Sequence, residues 1–222
     1  MGIVLEILLT ISLMLERNIK MANLIYYYGT MDSGKSTLAL QTAYNNDSRG
    51  RRGVIFTRND RAGMGILSSR IGLQAEASEV GTETNLHTVV LQKFEAGQKI
   101  EYVICDEAQF YSREQIEQLA KIVDGLGIDV FAFGILTDFK TALFPGSQRL
   151  VELADKVATL PVEALCWCGS PARCNARILN GVLLREGEQV YVGDTEEGID
   201  TNMPSYEVLC RKHYLSGQVS RK

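Results

Sequence analysis

Four short runs in the first two thirds of the chain are apolar at nearly every position: NLIYYY (23–28), GVIFT (53–57), YVICD (102–106) and DVFAFG (129–134). Runs that do not alternate with polar residues, and are rich in β-branched and aromatic side chains, fit strands covered on both faces. Between them the apolar period lengthens. Residues 35–46 fit a helix, and 85–97 fit a second, with Leu86, Val89, Val90 and Phe94 at helical spacing. A third helix begins after Ser112, an N-cap residue with Gln115 three positions on. A fourth is expected around 147–157. Strand and helix in alternation predict a mostly parallel sheet with helices on both faces. From residue 161 the pattern changes to short strand candidates, ARIL (176–179) and QVYVG (189–193), separated by glycine turns and paired Cys/His residues. That stretch predicts a small β-rich unit held by a metal. The expected divisions are 1–20, 21–160, 161–215 and a tail at 216–222.

The opening MGIVLEILLTISLMLERNIK stands apart. Its apolar run at 3–15 is too short to span a bilayer and is broken by Glu6. Arg17 and Lys20 follow the run rather than precede it, and no small-residue cleavage pattern appears, so it does not fit a secretory signal. The expectation is an appendage without function, consistent with a start codon placed too far upstream.

Composition narrows the classes further. A net charge of −4 argues against a general nucleic-acid binder, which needs a basic surface to displace phosphate counterions. Only 211–222 is locally basic. Of the five cysteines, Cys105 lies in an apolar run and Cys166, Cys168, Cys174 and Cys210 fall in the last third. Without a secretory signal, metal binding is the better use for them than disulfides.

The sharpest chemistry sits between the first predicted strand and the first predicted helix. GTMDSGKS (29–36) satisfies G-x-x-x-x-G-K-[ST] in full. Its members Gly29, Thr30, Met31, Asp32, Ser33 and Gly34 form a loop whose amides can cradle phosphate oxygens. Lys35 can reach the β- and γ-phosphates of ATP, the Ser36 hydroxyl can ligate Mg²⁺, and Thr37 continues into the helix, whose N-terminus favours anions. A carboxylate at the end of another buried strand completes such a site. YVICDEAQF (102–110) supplies Asp106, placed for Mg²⁺, and Glu107, which points elsewhere and can accept a proton from an attacking group. The predicted class is α/β: a P-loop NTPase (RecA-like) parallel sheet with a small C-terminal zinc-binding β-rich domain.

DEAQ also occurs in RNA helicases, but those need two such domains and a basic groove, and this chain has neither. GTMDSGKS, SSRIGL (68–73), DEAQF (106–110), TDF (137–139), LFPGSQRLVELADK (143–156), CWCG (166–169) and CRKHY (210–214) occur in this order. The chain resembles the type II thymidine kinases, the cytosolic family, and most closely their bacterial branch, from about Met21 to Tyr214. The resemblance implies a cytoplasmic enzyme that phosphorylates the 5′-hydroxyl of thymidine, and of deoxyuridine, from ATP with Mg²⁺, in nucleotide salvage. It implies a homotetramer, feedback inhibition by thymidine triphosphate, and no nucleic-acid or membrane partner. Glu107 matches the family's catalytic base. Met31, Phe110, Ile135, Phe139, Phe144 and Tyr206 match positions around the nucleoside. Arg61 and Arg70 could meet phosphate charge. Two rival classes are a P-loop ATPase switch, against which the clustered Phe110, Phe139 and Phe144 speak, and a nucleoside binder without catalysis, against which Lys35, Ser36, Asp106 and Glu107 speak.

Cys166 and Cys168 on one turn, with Cys210 and His213 near the end, make a Cys₃His set suited to tetrahedral zinc. Cys174 competes but ranks below them. With all positions taken by protein the zinc would be structural, anchoring both ends of the loop over the nucleoside. Asp32, Asn59, Tyr191 and the long acidic segment 193–206 depart from the family pattern and bear on affinity, base selectivity and loop closure.

Overall fold

The structure, a computed structural model, describes residues 22–58, 65–190 and 203–220. The appendage at 1–20, Asn59, Arg61, Tyr191 and most of the segment 193–206 lie outside the described residues.

β1 (Leu24–Gly29) leads through the phosphate loop into α1 (Lys35–Asp47). β2 (Gly53–Thr57), the hairpin β3 (Ile66–Ser68) and β4 (Gln74–Glu76), and the short β5 (Ser78–Glu79) follow. Then come α2 (Leu86–Glu95), β6 (Tyr102–Cys105), a 3₁₀ turn (Ala108–Phe110), α3 (Arg113–Leu126), β7 (Asp129–Ile135), α4 (Pro145–Leu153) and β8 (Lys156–Thr159). Six strands form one parallel sheet in the order β5-β2-β6-β7-β1-β8.

Successive side chains of a strand point to opposite faces, and both faces here are apolar. On one side Leu24, Tyr26, Val103, Cys105, Val130 and Ala132 pack with Ile116, Leu119 and Ile122 of α3 and Leu150 of α4. On the other, Tyr102, Ile104 and Phe133 pack with Ala39, Leu40 and Ala43 of α1 and Leu67 of β3. This two-sided burial is why the strands carry no polar alternation.

The capping box expected at Ser112 is present: Ser112 Oγ accepts from Gln115 N–H, and the Gln115 side chain accepts from Ser112 N–H. One predicted element here differs. The helix expected at 147–157 spans Pro145–Leu153, and 156–159 instead form the sheet-edge strand β8, where Leu24 N–H bonds Asp155 Oδ2 and Ile25 pairs with Lys156. In α2, Phe94, at helical spacing with Leu86, Val89 and Val90, is in that helix's last turn as its spacing implies, and is 37% exposed.

Beyond β8 a three-stranded antiparallel sheet runs in the order β10 (Val182–Leu183), β9 (Cys174–Leu179), β11 (Ser205–Leu209), followed by α5 (Arg211–Ser216). Its core is Cys166, Cys174, Ala176, Ile178, Leu183, Leu209 and Tyr214. Gln189 and Val190, expected to begin a strand, are not in one. Among the described residues no helix is long and apolar enough to cross a membrane.

Candidate active site

Gly29 ends β1 where the chain must double back. A Cβ there would lie 2.3 Å from Ser33 Oγ and 2.9 Å from Leu160, so no larger residue fits. Gly34, at φ 77°, turns the chain into α1 in the left-handed region that glycine enters without cost. Within the loop, Thr30 C=O accepts from Ser33 Oγ at 2.7 Å and from Lys35 Nζ at 3.0 Å. Lys35 is buried. Burial holds its ammonium below the usual lysine value, opposed by the carboxylates of Glu107, Asp106 and Asp32. A buried cation at the end of this loop is suited to anionic phosphate.

Asp106 follows β6 and is fully buried. Its Oδ2 accepts from Ser36 Oγ at 2.7 Å, which ties the two ends of the site together across 70 residues. Its Oδ1 is buried with no hydrogen-bond partner. Burial first, and the Glu107 carboxylate second, push the Asp106 carboxyl up to about 7, with Ser36 and Lys35 opposing. An orphaned carboxylate oxygen beside a serine hydroxyl is the donor set that a hard divalent cation such as Mg²⁺ takes, so these residues fit that ion.

Glu107 sits at φ 51°, the left-handed region, which costs an ordinary residue on the order of 1 kcal/mol. Gln109 bridges: its Nε2 donates to Glu107 Oε2, and its Oε1 accepts from Ile135 N–H at 3.1 Å. Gly134 makes room, since a Cβ there would lie 2.7 Å from Gln109 Oε1. The turn is pressed from behind by α4, where Gly146 lies against the carbonyls of Ala108, Gln109 and Tyr111.

Of the aromatic positions, Phe110 and Phe144 meet edge to face with centroids 5.6 Å apart. Phe139, 2% exposed, lies under the Arg177 guanidinium, 3.8 Å from the ring centroid. Arg177 Nε donates to Tyr206 Oη at 2.8 Å, so Phe139 and Tyr206 are linked through it. Ile135 closes β7 beside them in sequence and is half-buried.

Cys166, Cys168, Cys210 and His213 present ligand atoms all within 4.8 Å of one another. His213 Nδ1 lies 3.4 Å from the sulfurs of both Cys166 and Cys210, and the Cys168 and Cys210 sulfurs are 4.0 Å apart. Tetrahedral zinc with ordinary bond lengths requires edges of about 3.6 Å for S–N and about 3.8 Å for S–S, so the set fits zinc. Hydrogen bonds from Ser170 hold the Cys168 thiol down to about 6, which favours the ligating thiolate. Trp167 stacks on the His213 ring at 4.0 Å and fixes its plane. Cys174 is buried in the core beneath and is not one of the four.

Against this geometry the chain was compared with known proteins. Residues 22–214 match the family described as "Thymidine kinase". The chain belongs to the thymidine kinase family. It is 56% identical to the thymidine kinase of Streptomyces avermitilis over 198 residues, covering 87% of this chain and 89% of that protein. It is 52% identical to that of Cutibacterium acnes, covering 90% and 93%, and 42% identical to one from Legionella pneumophila over the same shares. Solved structures such as domain III of the Thermotoga maritima replication initiation protein DnaA overlap at a TM-score of 0.36 and 15% identity, covering 68% of this chain and 59% of that one, too loosely to carry an argument.

As a thymidine kinase family member the chain has features the motifs did not reveal. Arg70 pairs with Asp32 of the phosphate loop instead of standing free for phosphate, and Asp32 itself holds φ 61°. Asn175 and Arg177 both touch the site from β9. The available signal was weak: two polar residues at alternate positions of a short strand, opposite Cys174, Ala176 and Ile178 of the core. Met31 meets β9 through its backbone, N–H to Asn175 Oδ1 at 2.8 Å.

Proposed function

We propose that this protein is an ATP–Mg²⁺-dependent thymidine kinase of the P-loop NTPase class, forming thymidine monophosphate for nucleotide salvage. The observation that carries the reading is the junction at Asp106. One oxygen is held by Ser36, the other is buried and unpaired, and Glu107 follows in the left-handed region with its carboxylate held by Gln109.

In this reading the amides of residues 29–36 and the Lys35 ammonium bind the β- and γ-phosphates. Mg²⁺, held by Ser36 and Asp106, supplies positive charge against the phosphate oxygens. Glu107 takes the proton of the thymidine 5′-hydroxyl as that oxygen bonds to the γ-phosphorus and the bond to the β,γ-bridging oxygen breaks, releasing ADP. Gln109 keeps the carboxylate aimed, because one of its ends is fixed to β7. Phe110, Phe144, Phe139, Ile135, Met31 and Tyr206 form the walls for a flat base. A structural zinc on Cys166, Cys168, Cys210 and His213 anchors the small β-rich domain. The family also implies a tetramer, inhibition by thymidine triphosphate and a cytoplasmic location, which we carry as part of the proposal.

The test is γ-phosphate transfer from MgATP to thymidine, with a no-nucleoside control and Glu107→Gln. Monophosphate formed by the wild type and largely lost in the variant supports both acceptor and base. ATP hydrolysis indifferent to thymidine, with no monophosphate, refutes the kinase reading.

A further inference from the structure

β9 has two faces with separate tasks. Cys174, Ala176 and Ile178 point into the core of the small domain, beside the Cys/His cluster. Asn175 and Arg177 point the other way, into the α/β domain. Asn175 is 3% exposed, and its amide is committed at both ends. Oδ1 accepts from the Met31 N–H of the phosphate loop at 2.8 Å, and Nδ2 donates to the Thr137 carbonyl beyond β7 at 3.0 Å. One partner can only donate and the other only accept, so the amide has a single workable orientation. Two residues on, Arg177 holds the Phe139 ring, the Tyr206 hydroxyl and the carbonyls of Glu188 and Gln189.

We infer that Asn175 is a positioning residue that sets the conformation of the phosphate loop from the small domain, while Arg177 on the same strand face sets the nucleoside side. Met31 is the third residue of the loop. Its N–H is already committed to Asn175, so the amides left to meet phosphate are those further along. Without Asn175, the half-buried Met31 N–H and Thr137 carbonyl would both lose their side-chain partner, and the loop would be free to turn Met31 toward other acceptors. The Thr30 carbonyl, the next group back, is occupied by Ser33 and Lys35, so the pin at Met31 also fixes where Lys35 starts before nucleotide binds. This rests on reading residues 29–36 as the nucleotide cradle.

The experiment uses the full-length enzyme with Asn175→Leu, which keeps the volume and removes both hydrogen bonds, and Asn175→Asp, which keeps an acceptor toward Met31. Arg177→Gln is the partner on the same strand. Affinity for MgATP and for thymidine is measured separately by calorimetry, together with zinc content and the thermal midpoint. Expected are a roughly tenfold weakening for MgATP in Asn175→Leu, from loss of the part-buried hydrogen bond to Met31, with thymidine changed less than twofold and zinc retained. Asn175→Asp should recover part of the MgATP affinity. Arg177→Gln should show the opposite split, weakening thymidine more than MgATP. Equal losses for both ligands, or zinc release in either Asn175 variant, would reduce Asn175 to a domain-docking contact and overturn the inference. So would unchanged MgATP affinity in both. If Asn175→Leu does not fold, the split in Asn175→Asp decides. Wild-type protein that binds MgATP but makes no thymidine monophosphate would refute the kinase reading while leaving the MgATP arm of this test intact.

Discussion

The sharpest structural prediction concerns two glycines that look alike in sequence and should answer the same substitution with opposite signs. Gly146 lies in α4 where it crosses the turn that carries Glu107. A Cβ built there stands 2.6 Å from the Ala108 carbonyl oxygen, 2.7 Å from that of Tyr111 and 2.8 Å from that of Gln109. Real Cβ contacts essentially never fall under 3.0 Å, so all three oxygens must retreat, by at least 0.4, 0.3 and 0.2 Å (3.0 less each distance). All three belong to backbone, which has no rotamer to yield. Gly125, one residue from the end of α3, has nothing within 4 Å of its Cβ position. Gly146→Ala should therefore cost about 1–3 kcal/mol through overpacking. For a chain of this size that lowers the thermal midpoint by roughly 3–10 °C. Gly125→Ala should raise stability by about 0.5 kcal/mol, the helix-propensity gain damped by its position in the last turn. Calorimetric melts of both variants measure the difference. Gly146→Ala should also reduce kcat several-fold, because the displaced carbonyls sit on the turn that carries Glu107, the proposed base, and small misplacements of reacting groups are expensive. A neutral Gly146→Ala, or a shift of the same sign in both variants, would refute the close packing of α4 on that turn.

Three further outcomes follow from other parts of the molecule. Asp106 has a folded pKa raised to about 7, against about 4 when unfolded, so the fold disfavours its ionised form. In magnesium-free buffer stability should fall as pH rises from about 4 to about 7 through this group, and denaturant melts of Asp106→Asn should lack that component of the slope. Added Mg²⁺ should restore stability to the wild type above pH 7 and not to the variant. Removing zinc with a chelator, or substituting Cys166→Ser, should lower metal content below one per chain and lower the melting midpoint by several degrees. An unchanged midpoint would argue against a structural metal. Ser112→Ala removes the α3 capping box and should cost about 1 kcal/mol, read as a parallel shift in the urea midpoint with kcat intact.

How much could be read from the sequence follows from how local each feature is. GTMDSGKS and YVICDEAQ were legible as a candidate site because a phosphate loop and a metal-binding carboxylate call for particular residues at fixed spacing, each next to a buried strand. The capping box at Ser112 and Gln115 was legible for the same reason. The Cys₃His set was found because its halves are each compact in sequence. β8 was missed because KVAT opens with a lysine, lies at the sheet edge and follows α4 with almost no connection. The exposure of Phe94 was not legible, because helical spacing says which residues share a stripe and not where the neighbouring surface ends. Asn175 and Arg177 were invisible for a different reason. Asn175 meets partners 144 and 38 residues away, and nothing in the local pattern of a short strand names them.

The order of strands in the sheet also bears on how the protein is made. Among the described residues β1 is the first strand in the chain, yet its two neighbours are β7 and β8, with Leu24 opposite Val130 and Ile25 opposite Lys156. At roughly 5–20 residues per second, a ribosome needs about 5–20 s to cover the 106 residues from Leu24 to Val130. For that interval an aromatic strand, NLIYYY, has no edge to pair with. High contact order of this kind slows folding and lengthens the exposure of sticky segments. The loop proposed as the nucleotide cradle, at the end of β1, is thus begun early and completed late, and nascent chains cut short before β7 should bind no nucleotide at all.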